Sequence, residues 1–184
     1  MCAECAYIDR IPFLPTLRSF DRANPMSIDY TFQRNIDAPA SKVFDALLDP
    51  NALRDWMPDL VELERVSDIE SGPGVIFKET RKMFGRESTE YIEITDIQKP
   101  DRLHMYADGS KGTSGRGEYH FTYRLEPTGP DGNRTRLTLD CSIKDMGWFG
   151  GILLRLFSGP FEKSMKRDLD ALADYVEHKD DMVA

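Results

Sequence analysis

Cysteine, histidine, basic tracts and long apolar runs are the scarce features of this 184-residue sequence. Only Cys2, Cys5 and Cys141 occur, an odd set with two members crowded at the N-terminus, which excludes a disulfide framework. Cys2-x-x-Cys5 has metal or redox spacing, yet no second Cys or His pair follows nearby, so no metal site is expected. Cys141 alternates with Leu137 and Leu139 and reads as a small buried apolar side chain. The three histidines are His104, His120 and His178. The first two fall on strand patterns, on the parity opposite Met105 and Phe121, and are expected to face solvent. HExxH, GxSxG, P-loop and GxGxxG motifs are all missing, so metal-hydrolase, serine-hydrolase and nucleotide chemistry have no support and no cofactor is expected.

The formal charge is -8 and no Lys/Arg-rich block occurs. Nucleic acid and anionic membrane surfaces both need a positive patch, so neither is expected as the main partner. The ordinary meaning of such acidity is solubility. No run reaches the roughly 18 apolar residues of a membrane span. Asp9 and Arg10 interrupt the N-terminal stretch, so a signal peptide is not expected and the cytoplasm is the default location.

What is present is a well-patterned chain, 40% hydrophobic and 30% charged, of a length that suits one domain with its own core. Residues 1–25 carry three prolines and no sustained period. They are expected to be a weakly ordered extension, or to precede a true start at Met26, with the domain over 26–184. Tyr30, Phe32 and Ile36 alternate with polar residues as a strand. Two short helices follow, one with Asp37 at its cap and Val43, Phe44, Leu47 and Leu48 at helical spacing, the next opened by Asp49-Pro50 and ending near Pro58. From Leu60 the period changes to two. Strands are expected at 60–66, 75–81, 89–97, 103–107, 117–126 and 135–143, joined by short Gly/Pro/Asp turns, which implies an antiparallel meander. The strongly apolar "DMGWFGGILLRLFSG" is expected to be buried helix breaking at Gly159-Pro160. A last helix then carries Phe161, Met165, Leu169, Leu172 and Val176 as one stripe.

This order, with "IDAPASKVFDALLDPNALRDWMP" (36–58) followed by "GPGVIFKETRKMFGRE" (72–87), the "DIQKPDRL" turn (96–103) and the closing "RDLDALADYVE" (167–177), resembles the START/birch-pollen-allergen superfamily, often labelled SRPBCC. It looks most like the bacterial polyketide cyclase/dehydrase-like members, over residues 28–178. The resemblance implies an α+β helix-grip fold, a bent seven-stranded antiparallel sheet wrapped around a long C-terminal helix and enclosing a mostly apolar cavity. Members of the superfamily bind lipids, sterols, polyketides, quinones or plant hormones. No residue set is catalytic across it, so no catalytic residue is carried over.

Within such a fold the candidate ligand-binding residues are Trp56, Phe77, Tyr119, Phe121, Tyr123 and Trp148, aromatic side chains that either fill the core or wall a cavity. Glu79 and Arg81 share the parity of Phe77 and are therefore expected to turn inward. They either pair with each other, or with Glu90 or Glu118, or anchor a ligand oxygen; a bulge that reverses parity would instead put both in solvent. Met83 and Phe84, beside Gly85 at a hairpin tip, either cap the core or gate the cavity mouth. The apolar 147–157 stretch reads as buried helix or as a membrane-dipping portal.

Three functions stay open. The first is binding, with possible transport, of a small hydrophobic ligand such as a lipid, polyketide or quinone. The second is a cyclase or dehydratase using cavity Glu, Arg or Tyr groups. The third is a chaperone-like interaction module. The sequence does not speak to oligomeric state.

Overall fold

The computed structural model describes residues 27–83, 85–146 and 158–178. The N-terminal extension, Phe84, Trp148 and the apolar 147–157 stretch lie outside the described residues, and so does the side chain of Met83. The expectations of a gate and a portal fall on those residues.

Seven strands form one antiparallel sheet in the order β1-β7-β6-β5-β4-β3-β2. They are β1 (Ile28–Ile36), β2 (Leu60–Arg65), β3 (Ile76–Met83), β4 (Arg86–Gln98), β5 (Arg102–Asp108), β6 (Glu118–Thr128) and β7 (Arg134–Lys144). Helices α1 (Ala40–Leu48) and α2 (Pro50–Trp56) follow β1, and α3 (Ser158–His178) closes the described chain. This is the helix-grip arrangement that the resemblance implies. Register shifts between Leu60 and Glu62, and between Ile94 and Asp96, mark bulges that bend β2 and β4.

Period-two alternation explains which face is buried. On β7, Thr135, Leu137, Leu139, Cys141 and Ile143 are all inaccessible. Burial pushes the Cys141 thiol up to about 12, so it remains a packed, protonated thiol. The inward stripe of α3, Met165, Leu169, Leu172 and Val176, meets this face. Phe161 is only half-buried and tilts against Tyr30, with ring centroids 5.1 Å apart. The helix also packs on β1, α1 and α2.

Three local expectations need correction. Asp37 is not the cap of α1. Its carboxylate pairs with Arg134 at 2.8 Å, and Pro39, in an extended conformation, occupies the cap position while its carbonyl accepts the N–H groups of Lys42 and Val43. Asp49, in contrast, caps α2 as its sequence predicts, accepting from the Asn51 N–H at 2.9 Å. Gly159-Pro160 lies inside α3 and not after a helix end, and the apolar segment expected to break there falls outside the described residues. Lastly, His104 and His120 are on the outer face but are not free in solvent. Their rings stack at 5.6 Å, and Tyr106 lies 5.2 Å from His120. Burial, then the neighbouring His120, lowers the His104 pKa, favouring its neutral form.

Thr135 ties the sheet to the turn before α1. Its buried hydroxyl donates to the Ala38 carbonyl at 2.7 Å. Thr135→Val keeps the shape and strands that carbonyl, which should cost about 1–3 kcal/mol. Urea unfolding is expected to show a lower midpoint with an unchanged slope; an unaltered midpoint would show that the bond contributes nothing.

Candidate functional site

Between the sheet and α3 lies a cavity of about 110 Å³. Trp56 and Met57 line it from the end of α2, Phe77, Glu79 and Arg81 from β3, Met105 from β5, Phe121 and Tyr123 from β6, and Met165 and Asp168 from α3. The lining is mainly carbon, with one polar end where Glu79, Arg81, Tyr123 and Asp168 meet. Larger recesses exist, but they open on the surface.

The polar end is built from the strand period. Phe77, Glu79 and Arg81 alternate on β3 and all turn inward. The partner of Arg81 comes from α3. Two guanidinium nitrogens reach the Asp168 carboxylate at 2.8 and 2.9 Å, and one of them also donates to the Pro58 carbonyl at 2.9 Å. Side-chain exposure is 14% for Arg81, 13% for Asp168 and 19% for Glu79, so this is an interior cluster. A buried forked pair of this kind is rigid and specific, because separating the two charges would leave each one desolvated.

Glu79 is the odd member. Arg81 Nε lies 3.9 Å from its Oε1, too far for a hydrogen bond, and that Nε has no acceptor. Burial raises the Glu79 pKa; Arg81 opposes this, while Asp168 and Glu90 add to it. Burial works against the Arg81 charge as well, but the hydrogen bond and attraction from Asp168 prevail and its pKa is raised. Asp168 is itself lifted by burial, with Arg81 pulling the other way. Tyr123 is pushed far above the ordinary phenol range, chiefly by burial, and stays a neutral O–H. Once Glu79 holds its proton, the cavity end offers three donors, from Glu79, Tyr123 and Arg81 Nε, and no net charge.

Several expectations are resolved by this geometry. The inward parity of Glu79 and Arg81 holds. Neither alternative partner serves Arg81. Glu90 lies opposite Glu79 on β4 but accepts from the Ser114 N–H and hydroxyl at 2.8 and 2.6 Å. Glu118 lies on the outer face beside His120. Trp56, Phe77, Phe121 and Tyr123 do line the cavity; Trp56 is fixed by donating Nε1–H to the Ala46 carbonyl at 3.0 Å. Tyr119 is outside the lining, with its hydroxyl near the Arg116 carbonyl and Met146 Sδ. Asp168 was missed by sequence reasoning. Its signal was available: it follows Met165 by three and precedes Leu172 by four, which puts a carboxylate on the apolar stripe.

A family profile described as polyketide cyclase/dehydrase and lipid transport matches residues 27–177. The chain belongs to that family. Solved structures of the same fold include a protein from Thermus thermophilus, with 20% identity, 81% of this chain and 97% of that chain covered, and a TM-score of 0.66. The Zhui aromatase/cyclase from a Streptomyces species shares 17% identity over 84% of this chain and 96% of its own, with a TM-score of 0.67. A START superfamily protein from Mycobacterium smegmatis shares 12% identity over 80% and 98%, with a TM-score of 0.64. A search of curated proteins gives no match. No group of His, Cys, Asp and Glu suited to holding a metal occurs among the described residues, and no helix among them is long and apolar enough to cross a membrane.

The raised Glu79 pKa has a measurable consequence. The folded chain keeps a proton that the unfolded chain gives up in the ordinary carboxylate range, so stability falls as pH rises from that range through the folded value. Glu79→Gln removes the charge and keeps the shape. We expect a gain on the order of 1 kcal/mol, a Tm higher by a few degrees, at about pH 8, and almost none at about pH 4. Thermal unfolding at the two pH values checks this; a variant less stable at the higher pH would show that the carboxylate is favourably paired.

Proposed function

We propose that the cavity binds, and carries, a small apolar molecule that presents an oxygen acceptor to Glu79, Arg81 and Tyr123. Polyketides, quinones and oxygenated lipids have that chemistry. The observation behind the reading is the polar end itself: Arg81 Nε without an acceptor, beside Glu79 and Tyr123, in a carbon-lined hollow. In a chain without cargo, such groups forgo hydrogen bonds that a ligand oxygen would supply.

The hollow is smaller than the ~300–1,000 Å³ of sites for drug-sized ligands. Met57, Met105 and Met165 in its wall supply the means of enlargement, because unbranched thioether side chains repack at low cost. The family description, which includes lipid transport, supports the same reading.

Glu79 favours a second reading, acid–base chemistry of the cyclase or dehydratase kind. A neutral carboxyl in an apolar site can protonate a ligand carbonyl, and its carboxylate form can take a proton from an activated carbon.

The test uses two ligands with one skeleton, 1-tetralone and tetralin, which differ by one carbonyl. Calorimetric titration is expected to show tetralone binding about tenfold more tightly, the worth of one or two buried hydrogen bonds. Tyr123→Phe should erase most of that preference and leave tetralin binding unchanged. Equal affinities for the two would end the oxygen-anchor reading. Binding of neither would end the cavity reading as a whole. Where a polyketone substrate is turned over, Glu79→Gln is expected to abolish turnover while binding persists; turnover unaffected by that change would remove the acid–base role.

A further inference from the structure

Arg81 lines two hollows. One is the cavity; the other is a surface recess of about 280 Å³ formed by Asp59, Arg81, Lys82, Pro160, Lys163 and Arg167, with Ser164. The recess contrasts with the rest of the chain. The whole carries a formal charge of -8, yet here four cationic side chains meet one carboxylate.

The pairing leaves two of those charges over. Arg81 is taken up by Asp168 and Arg167 by Asp59. Lys82 and Lys163 have no ion-pair partner among the described residues, so the recess keeps two unneutralised positive charges in one concavity. Its floor is a built feature. Asp59 adopts the left-handed conformation, φ 59°, rare for a residue with a side chain. This turn sets its carboxylate against Arg167, while its carbonyl accepts the Lys82 N–H at 2.8 Å. The recess also adjoins residues 160–167 of α3.

We infer that this recess takes the phosphate group of an amphipathic ligand whose apolar body occupies the cavity. The inference rests on the cavity being a ligand site. A phosphate monoester carries about -1.5 to -2 charges near neutral pH and three acceptor oxygens, which matches two lysines and the Ser164 hydroxyl. A carboxylate, with one charge, matches less well. The anion does not belong inside the cavity, where Asp168 already neutralises Arg81 and no unpaired cation remains. It belongs on the solvent side of Arg81, where the lysines are. A phosphate on a lipid and a phosphate on a soluble acyl carrier share this chemistry.

Displacement of the neutral fluorophore N-phenyl-1-naphthylamine from the full chain tests it, with dodecanol, dodecyl phosphate and decanoyl-coenzyme A as competitors. At about 50 mM salt dodecyl phosphate is expected to bind about tenfold more tightly than dodecanol, and the advantage should shrink at about 0.5 M. In Lys82→Gln/Lys163→Gln the advantage should fall below about threefold, with dodecanol unchanged. A larger gain for decanoyl-coenzyme A than for dodecyl phosphate, lost in the same double variant, also supports the subsite and assigns the phosphate to a carrier. Equal affinity of alcohol and phosphates overturns the recess while leaving the cavity intact. A phosphate preference that survives the double variant overturns it too. Failure of dodecanol itself to displace the fluorophore removes the cavity reading, and this inference with it.

Discussion

The fork between Arg81 and Asp168 joins the sheet to the helix where both side chains are largely withdrawn from water. The other ion pairs that tie α3 to the sheet side among the described residues are ones that water competes for. Arg34 with Asp170, and Arg167 with Asp59, are both well exposed, and such pairs contribute roughly 0–1 kcal/mol. The interior pair differs in kind. Its net contribution to stability over an apolar substitute is small or even negative, but breaking it is costly, because one buried charge is then left alone. It therefore acts as a registration device. Only one rotation of α3 about its axis brings Asp168 to Arg81 while Leu169 and Leu172 face the sheet.

That device also creates the chemistry of the cavity end. One cation meets two carboxylates, and the geometry serves only one of them. Asp168 takes two guanidinium nitrogens and Glu79 is left at 3.9 Å. Burial raises the Glu79 pKa and Arg81, at 3.9 Å, opposes this only in part, so the position favours the protonated form. The group that looks least satisfied thus becomes a neutral donor in a carbon-walled space, beside a phenol that burial keeps neutral as well. A core selected for stability alone would replace Glu79 with an apolar residue of similar size, and departures of this kind from local consistency concentrate at functional positions.

Much of this could be read from the residues alone, for reasons that differ from element to element. Strand alternation gave all seven strands to within a few residues, and it turned Glu79 and Arg81 inward because the period of two leaves no intermediate orientation. The same parity, applied on β6, places Glu118 with His120 on the outer face and removes it as a partner. Asp168 was legible in principle, but a carboxylate on a helix is so often solvated that its place in the stripe of Met165, Leu169 and Leu172 passed as surface. Long-range partners are the least legible. Arg81 and Asp168 are 87 residues apart, and nothing local specifies that they meet. The same holds for Asp37, which satisfies Arg134 and leaves the cap of α1 to Pro39.

The two hollows that share Arg81 divide the surroundings of a ligand by charge. On the inner side the cluster sums to zero while Glu79 is protonated and to minus one when it is not. No state of that side is positive, so an anion gains nothing by entering, whereas a neutral carbonyl meets donors in either state. On the outer side Lys82 and Lys163 remain positive after Arg81 and Arg167 have been neutralised by Asp168 and Asp59. A single guanidinium therefore stands at a boundary where the preferred ligand chemistry reverses within the width of one side chain. A molecule that satisfies both sides must be apolar at one end and anionic at the other, and Asp168 enforces the order in which it lies.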